Sequence, residues 1–515
     1  MLLRYFAIFA GLTLIASIAP LLTSLQLWQK KEWRWDRLRE HLRAHGWFRQ
    51  LFGSVRPVTV IVLVILDQFG VFRGISFEFL PLFALCILNA FQVVLKKQPC
   101  PTWTAKAILM AATTFLWIFG TTAVLYALAI YSRFFFATYF LPVVALLAPL
   151  FLALTWVALS PLDRLLKRRI LRKAIALRKA FPALTVIGIA GSVGKTTTKE
   201  ILAHLLQGRG VLSTPEHVNS ELGVAQWWLR QSDLLHSGSV HVVLVEMGAY
   251  RLGEIRTLCE VMQPTIGVLT AIGSDHLGLF GSEDAICRSN AELLAALPQT
   301  GHVFINAINP ACRTLVADAR CRVTLVGDHG VSLFETEKGI GINLHGTVFH
   351  LPFTGLHQAQ NALLAMHVAM FLKIPEPRIQ ELLHSAAPLA HTFSMKTEHG
   401  VTVLDDTWNS SPLSVRAALE WSGRRRERPR VLLLAPLLEL GHEDKRILSE
   451  LGAFARGRVE RLVCTHPEQR AILQEGFQQP VEFLDRSAAP VPPGSLLLCV
   501  GRMPIASLKR MLPAV

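Results

Sequence analysis

The hydrophobic residues of this chain follow two different patterns, one before and one after residue 160. Before residue 160, long apolar stretches recur, at roughly 3–27, 58–72, 77–95, 107–131 and 134–159. Most reach the roughly 20 residues that a helix needs to cross a bilayer, although the second is short. After residue 184, short apolar runs alternate with amphipathic stretches, which is typical of an α/β fold. The pattern predicts a membrane region of about five helices in residues 1–160, followed by an α/β region.

The basic residues of the membrane region indicate its orientation. They cluster after the first, third and fifth apolar stretches, whereas the other two loops carry little charge. Because basic loops stay on the cytoplasmic side, we expect five crossings of the plasma (inner) membrane, with everything after residue 159 in the cytoplasm. A cleaved signal peptide remains an alternative for the first stretch, since Ala16 to Ala19 resembles a cleavage site. That alternative would export eight basic residues.

The other charged groups and the cysteines argue against several classes of binding site and partner. The formal net charge of +15 is explained by the positive-inside rule, so we expect no nucleic-acid partner. Residues 161–184 form a basic juxtamembrane connector, either an amphipathic helix on the membrane surface or an ordinary solvated helix. Asp67 and Glu78 are candidate functional groups within the apolar region. The eight cysteines form no C-x-x-C pair, which argues against a zinc site and a disulfide framework.

A glycine-rich turn follows the first strand-like run of the α/β region. It contains Gly191 and Gly194 and continues into Lys195 and Thr196. Its backbone N–H groups would point at phosphate oxygens, at the positive end of the helix that follows. Lys195 would contact the terminal phosphates and Thr196 would hold Mg²⁺. Because Gly188 stands one residue too early for the strict motif, a plain strand-to-helix turn is the alternative to a phosphate-binding loop.

Two more polar residues follow strand-like runs. Residues 240–246 end in Glu246, and residues 265–270 lead into a loop that contains His276. The carboxyl ends of parallel strands meet at one edge of a sheet, where a Mg²⁺ ligand facing a phosphate-binding loop is expected. Glu246 is therefore a candidate metal ligand. His276, taken alone, is more often a structural residue than a ligand.

Six short motifs follow one another from about residue 185 to the end of the chain. They are Gly191-x-x-Gly194-Lys195-Thr196-Thr197, Glu246-Met-Gly, His276-Leu-x-x-Phe-Gly281, Gly355-Leu-His357-x-x-x-Asn361-Ala362, Asp405-Asp406-x-x-Asn409-x-x-Pro412 and Glu439-Leu-Gly441. In this order and spacing they resemble the Mur ligase family, and most closely its D-alanyl-D-alanine-adding members. The resemblance implies a P-loop central ATP-binding domain at 185–388 and a Rossmann-like C-terminal domain at 389–515, which closes over ATP.

The resemblance also implies site residues. The ATP-binding residues would be Gly191, Ser192, Gly194, Lys195, Thr196, Thr197, His357, Asn361, Asp405, Asp406 and Asn409, with His357 and Asn361 by the base and Asp405 or Asp406 by the ribose. The Mg²⁺ ligands would be Thr196, Glu246 and His276. The catalytic residues would be Lys195, His276 and Asn219, the last near the reacting carboxylate. Such a site converts a carboxylate into an acyl phosphate, which an amine then attacks.

The chain departs from the family pattern at several positions. Where most members have a carbamylated lysine that supports a second Mg²⁺, it has Asn290, with Asp275 or Glu292 as possible substitutes. Other family residues are replaced by Ser220, Gln358, Ser394 and Pro436. Five apolar stretches stand in place of the usual domain that binds a uridine-nucleotide sugar.

These observations favour one function over two others. We expect a membrane-anchored, ATP-dependent ligase that joins a peptide or amino-acid carboxylate to an amine in a cell-envelope polymer, with the acceptor on a lipid carrier or as a membrane-associated peptide. The first alternative is a catalytically weakened module that binds nucleotide as a membrane scaffold. The second is an ATPase that energises transport, against which the C-terminal ligase motifs argue.

Overall fold

The computed structural model describes residues 2–69, 80–95, 98–131, 140–336, 339–408, 410–485 and 488–513. The chain forms two compact units, Met1–Leu166 and Lys167–Val515. Each unit has its own hydrophobic core.

The first unit is helical over its described residues. Its helices are α1 (Leu2–Lys30), α2 (Trp35–His45), α3 (Trp47–Phe52), α4 (Val55–Gln68), α5 (Leu80–Val94), α6 (Ala105–Tyr131), α7 (Leu141–Leu146) and α8 (Ala148–Lys179), of which α8 continues into the second unit. Leu25 of α1, Ile118 of α6 and Leu152 of α8 are fully buried in one apolar cluster. Lys106 and Asp163 pair at 2.6 Å between α6 and α8.

Within the described part of the chain, three helices are long and apolar enough to cross a membrane, namely Arg4–Lys30, Ala105–Tyr131 and Ala148–Lys179. Two of the other predicted membrane stretches contain shorter apolar helices, Val55–Leu66 and Leu80–Val94. The last predicted stretch is divided, because α7 ends before α8 begins. Glu78 and the side chain of Asp67 lie outside the described residues. The number of crossings therefore stays a prediction.

The second unit begins with a six-stranded parallel sheet. Its strands are β1 (Thr185–Ala190), β2 (Val211–Ser213), β3 (Val242–Glu246), β4 (Ile266–Leu269), β5 (His302–Asn306) and β6 (Arg322–Val326), in the order β2-β3-β1-β4-β5-β6. The helices between them are α9 (Lys195–Leu205), α10 (Glu221–Arg230), α11 (Ser232–His236), α12 (Glu254–Met262), α13 (Leu277–Phe280), α14 (Glu283–Ala296) and α15 (Pro310–Thr314). The strands β1, β3 and β4 are almost wholly buried, as covered parallel strands are.

A small antiparallel sheet and two helices follow. They are β7 (Val331–Thr336), β8 (Gly339–Leu344), β9 (Thr347–Leu351), α16 (Leu356–Phe371) and α17 (Glu376–His384). Ile342 and Phe349 of this sheet share a buried cluster with Leu363 of α16 and Leu202 of α9. This shared cluster holds α16 beside the helix that follows the glycine loop.

A second six-stranded sheet completes the unit. Its strands are β10 (Ser394–Glu398), β11 (Val401–Asp406), β12 (Arg430–Leu434), β13 (Arg461–Cys464), β14 (Val481–Phe483) and β15 (Leu496–Val500), in the order β10-β11-β15-β12-β13-β14, with only β10 antiparallel among the described strands. Its helices are α18 (Pro412–Ser422), α19 (Asp444–Ala455), α20 (Pro467–Phe477) and α21 (Ile505–Met511). The predicted α/β region is therefore confirmed. The two sheets lie on either side of the predicted boundary at 388/389, although the division into domains stays a prediction.

The predicted connector continues the same helix as the last apolar stretch. Arg178, near the end of α8, is buried, and its guanidinium donates to the carbonyl oxygen of Met262 at 2.8 Å and to that of Phe181 at 2.5 Å. Carbonyls at the end of a helix lack partners within it, and a cation there is favourable. Arg178 therefore caps α12 and fixes the last turn of α8 within the second unit.

Candidate active site

The glycine loop joins the buried strand β1 to α9. Gly191 and Gly194 have φ of +139° and +86°, which side chains disfavour. A side chain at Gly191 would also collide with the Thr270 hydroxyl, and one at Gly194 with the Asn361 side chain. The Thr270 hydroxyl donates to the Val193 carbonyl at 2.6 Å. The loop is thus held in a shape that only glycine allows at these two positions.

Lys195 begins α9 and folds back over the loop. Its ammonium donates to the carbonyl oxygens of Gly191 and Ser192, both at 2.7 Å. Burial lowers the pKa of Lys195, while the negative charges of Glu246 and Asp275 oppose that shift. Its two partners are neutral carbonyls of the loop, so an anion placed in the loop would attract this cation more strongly.

Glu246, at the carboxyl end of β3, lies directly beside the loop. The Thr196 hydroxyl donates to its Oε2 at 2.9 Å, and Asn219 Nδ2 donates to its Oε1 at 3.1 Å. Only 4% of Glu246 is exposed. Three of the predicted site residues, from three separate chain segments, therefore meet in one hydrogen-bonded group.

Lys199, which was not among the predicted site residues, also belongs to this group. Lys199 is fully buried, and its ammonium lies 3.6 Å from Glu246 Oε2. It also donates to the Thr214 carbonyl at 2.6 Å. Its place in the helical pattern carried a signal, because Lys199 precedes the buried Leu202 by one turn and so lies on the inward face of α9.

His276 contacts a residue of the C-terminal sheet region. Its Nδ1 lies 2.5 Å from Glu439 Oε2, and the neighbouring Gly278 N–H donates to the Glu439 carbonyl at 2.6 Å. A side chain at Gly441 would come within 2.7 Å of Gly278 Cα. Two of the six sequence motifs are thus packed against each other. His276 contacts the Glu439 carboxylate, and not the Glu246 carboxylate with which it was predicted to bind Mg²⁺.

A cleft lies between the glycine loop and these segments. It is lined by Gly191, Ser192, Lys195, Asn219, Gly248, Ala249, Tyr250, Ile255, Asp275, His276, Phe280, Ile286 and Asn290. Burial raises the pKa of Asp275, opposed by the nearby His276 and Lys195. The cleft therefore combines the Lys195 cation with the Asp275 carboxylate. The N–H groups of Ser192 and Val193, predicted to point at phosphate oxygens, instead donate to the Ala271 carbonyl at 2.7 and 3.3 Å.

The donors at the cleft fit Mg²⁺, which prefers oxygen ligands. The Thr196 hydroxyl and the Glu246 carboxylate are adjacent, and Asp275 Oδ2 is buried without a hydrogen-bond partner. Among the described residues, no three His, Cys, Asp or Glu side chains converge closely enough to hold a metal by themselves. Such a site therefore fits a cation that takes its remaining ligands from phosphate and water.

Asn290 stands where most of the family has a lysine, and Asp275 and Glu292 are the two predicted substitutes for that lysine. Asn290 donates to the Ile286 carbonyl of its own helix at 2.9 Å, so it takes part in local structure. Glu292 accepts from the N–H groups of Gly253 and Arg256 at 2.6 and 2.9 Å, which caps the start of α12. Glu292 is thereby committed elsewhere, whereas Asp275 lines the cleft.

The residues predicted to lie by the nucleotide base are on the other side of the loop. Asn361 lies against Gly194 and donates to Gln358 Oε1 at 3.3 Å. The His357 ring packs edge-on against Phe393, with 4.3 Å between ring centroids. Burial lowers the pKa of His357 to about 4. A small second cleft runs here from Thr197 to Phe393 and includes Gln358.

Asp405 and Asp406, at the end of β11, are buried and already hydrogen-bonded. Asp405 Oδ2 pairs with His391 Nδ1 at 2.8 Å, and its Oδ1 accepts from the Thr407 hydroxyl at 2.7 Å. Asp406 Oδ1 accepts from the Phe393 N–H at 3.2 Å. Asn409 lies outside the described residues. The predicted contacts of these residues with a ribose stay predictions.

Comparison with known proteins points to one family. The model of the Mur ligase middle domain matches residues 189–369. The UDP-N-acetylmuramoyl-tripeptide--D-alanyl-D-alanine ligase of Mycobacterium tuberculosis (strain CDC 1551 / Oshkosh) is 34% identical over 314 residues, which are 57% of this chain and 60% of that protein. The chain thus spans about three fifths of this curated relative.

Solved structures support the same fold. MurF from Acinetobacter baumannii superposes with a TM-score of 0.60 at 22% identity, covering 67% of this chain and 80% of that one. MurF ligase from Thermotoga maritima in complex with ADP gives a TM-score of 0.56 at 21% identity, covering 67% and 82%. At these identities the likeness concerns the fold alone.

Proposed function

We propose that this chain, which matches the Mur ligase middle domain over residues 189–369, is a membrane-anchored, ATP-dependent ligase of the Mur ligase family that forms an amide bond through an acyl phosphate. The observation that carries the proposal is the group formed by Thr196, Glu246 and Asn219 beside a glycine loop capped by Lys195. A phosphate-binding loop next to an amide that can hold a second anion is what phosphoryl transfer to a carboxylate requires.

Each of the residues at the cleft has its own role in this reaction. Lys195 leaves the carbonyls of Gly191 and Ser192 and neutralises the transferring phosphate. Asn219 orients the acceptor carboxylate while it remains bonded to Glu246. Mg²⁺, held by Thr196 and Glu246, supplies charge neutralisation for the phosphates when it is bound. Positioning and electrostatics account for most of the rate in such reactions.

The contact of His276 with Glu439 supports a further role for the C-terminal region. It joins the loop beside the cleft to the segment that precedes α19, and so brings the C-terminal sheet next to the cleft. We infer that this closed arrangement keeps water from the acyl phosphate until the amine attacks.

For substrates, we propose the classes named for the curated relatives. The acceptor is a muramoyl peptide carboxylate and the amine is D-alanyl-D-alanine, as in the ligases whose names are given above. Three helices able to cross a membrane support an acceptor presented at the bilayer, on a lipid carrier or as a membrane-associated peptide.

The test is release of ADP and phosphate by the full-length protein in detergent, with carboxylates and amines added singly and together. We expect turnover only with both substrates, and roughly 100- to 1000-fold less of it in Lys195→Ala. A soluble uridine-nucleotide tripeptide and a lipid-linked one are compared, because equal rates on both would contradict the membrane-presented acceptor. ATP hydrolysis without either substrate would contradict a ligase.

A second candidate function is a nucleotide-binding membrane scaffold. Asn290 favours it, because its amide serves its own helix where most of the family has a carbamylated lysine. Asn290→Lys separates the two functions. A ligase adapted to asparagine loses activity when a buried lysine replaces it, since Asn290 is only 5% exposed. A scaffold with a degenerate site gains activity.

A further inference from the structure

Lys199 has an unusual position for a lysine. Its side chain is fully buried, although it lies in the helix that follows the glycine loop. An ammonium removed from water loses several kcal/mol of solvation free energy, so a buried lysine needs close partners. The partners of Lys199 therefore indicate why it is there.

Three oxygens surround the Lys199 ammonium. It donates to the Thr214 carbonyl at 2.6 Å, and it lies 3.1 Å from Glu200 Oε1 and 3.6 Å from Glu246 Oε2. Glu200 is partly exposed, so water weakens that pair. Glu246 is almost wholly buried, and its pair with Lys199 is screened least.

The same network also fixes the backbone of Glu246. The Thr214 hydroxyl accepts from the Glu246 N–H at 3.1 Å, while the Thr214 carbonyl accepts from Lys199. The Oε2 atom that faces Lys199 is the one that accepts from the Thr196 hydroxyl. Lys199 thus acts on Glu246 in two ways. Its charge attracts the Glu246 carboxylate directly, and its hydrogen bond to Thr214 links it to the Glu246 backbone.

We propose that Lys199 is a positioning residue, whose buried charge holds the Glu246 carboxylate in the orientation that binds Mg²⁺ together with Thr196. This inference rests on the proposed function, because it assumes that magnesium nucleotide binds at the glycine loop. Residues that orient a metal ligand typically change metal affinity by roughly 10- to 100-fold when replaced.

The experiment measures the binding of N-methylanthraniloyl-ADP to the full-length protein, with and without Mg²⁺. The readout is the ratio of the two affinities, which is the gain due to the metal. Lys199→Gln removes the charge and keeps a donor for Thr214, and Lys199→Met is a second neutral variant should the first unfold. Glu200→Gln is the matched control, since it removes the solvent-facing ion pair of the same lysine.

We expect Lys199→Gln to reduce the gain due to Mg²⁺ by about 10-fold or more, with metal-free affinity nearly unchanged. Glu200→Gln keeps the wild-type gain, and Lys199→Arg keeps more of it than Lys199→Gln. A wild-type gain in both neutral variants, or equal losses with and without Mg²⁺, would overturn the inference. Absence of nucleotide binding in the wild-type protein would instead contradict the proposed function.

Discussion

Two sheet edges in the second unit carry the polar residues that the sequence singled out, and they are built differently. At the first edge, where β1, β3 and β4 end, the Lys195 ammonium donates to two loop carbonyls, and Asp275 Oδ2 has no hydrogen-bond partner among the described residues. At the end of β11, both oxygens of Asp405 are occupied by His391 and Thr407. The first edge thus keeps charged groups that a ligand can engage, whereas the Asp405 carboxylate at the second is already bonded to its own loops. Which of these residues contact a nucleotide stays a prediction.

The largest effect on turnover is expected when the cation of the first edge is removed. Lys195→Ala should lower turnover by roughly 100- to 1000-fold, as loss of one preorganised electrostatic group does. It should leave the melting temperature unchanged, because among the described residues the Lys195 ammonium donates only to two loop carbonyls. Steady-state ADP release and thermal unfolding measure the two effects. Lys445→Ala, at an exposed lysine, is the matched control.

The second edge should give the opposite result. Asp405→Asn weakens a buried carboxylate that bonds to His391 and Thr407, and we expect it to lower the free energy of unfolding by roughly 2 to 3 kcal/mol. Urea unfolding measures the loss. Activity at a temperature well below the transition should fall much less than in Lys195→Ala. A variant as stable as the wild type but inactive would place Asp405 in ligand binding instead.

The pKa of His357 predicts how the free energy of unfolding changes with pH. Because burial lowers this pKa from 6.5 to about 4, the unfolded chain binds a proton more readily than the folded one over that range. The contribution of His357 to stability is therefore complete above pH 6.5 and is lost as the pH falls toward 4. Between pH 7.5 and 5 the loss should be about 2 kcal/mol.

The control is His357→Gln, which carries no titrating group. Its free energy of unfolding should depend less steeply on pH than that of the wild type over the same interval, as followed by urea unfolding at each pH. Parallel curves for the two proteins would show that His357 titrates normally, and hence that its place beside Phe393 is solvated.

The smallest effect is expected where the two regions meet. Glu439→Gln replaces the charge that faces His276, whose side chain is 40% exposed, so the free energy of unfolding should change by less than about 1 kcal/mol. Turnover should fall more than stability if this contact closes the cleft. Unchanged turnover would separate the contact from catalysis.

The sequence predicted the parts of this arrangement that follow from local pattern. Strand-like runs that end in polar residues placed Glu246 beside the glycine loop, because parallel strands end at one sheet edge. The alternation of strands and helices predicted the α/β fold. The motif order added the segments around His276, Asn361 and Glu439, which lie far apart in the chain.

Sequence patterns do not predict which side chains meet when segments that are distant in the chain pack together. Nothing around Lys199 or Thr214 indicates that their side chain and backbone meet. The pairing of His276 with Glu439 depends on how α13 packs against the loop before α19, which no periodicity reports. The commitment of Glu292 to the start of α12 likewise appears only in three dimensions.

The central claim is that ATP activates a carboxylate at the cleft beside Lys195. It is tested most directly by supplying an acceptor whose carboxylate carries ¹⁸O at both oxygens, together with ATP and the amine, and analysing the released phosphate by mass spectrometry. An acyl phosphate transfers one carboxylate oxygen, so the account predicts one ¹⁸O in each phosphate that accompanies amide formation. Phosphate released without ¹⁸O while ADP accumulates would contradict it.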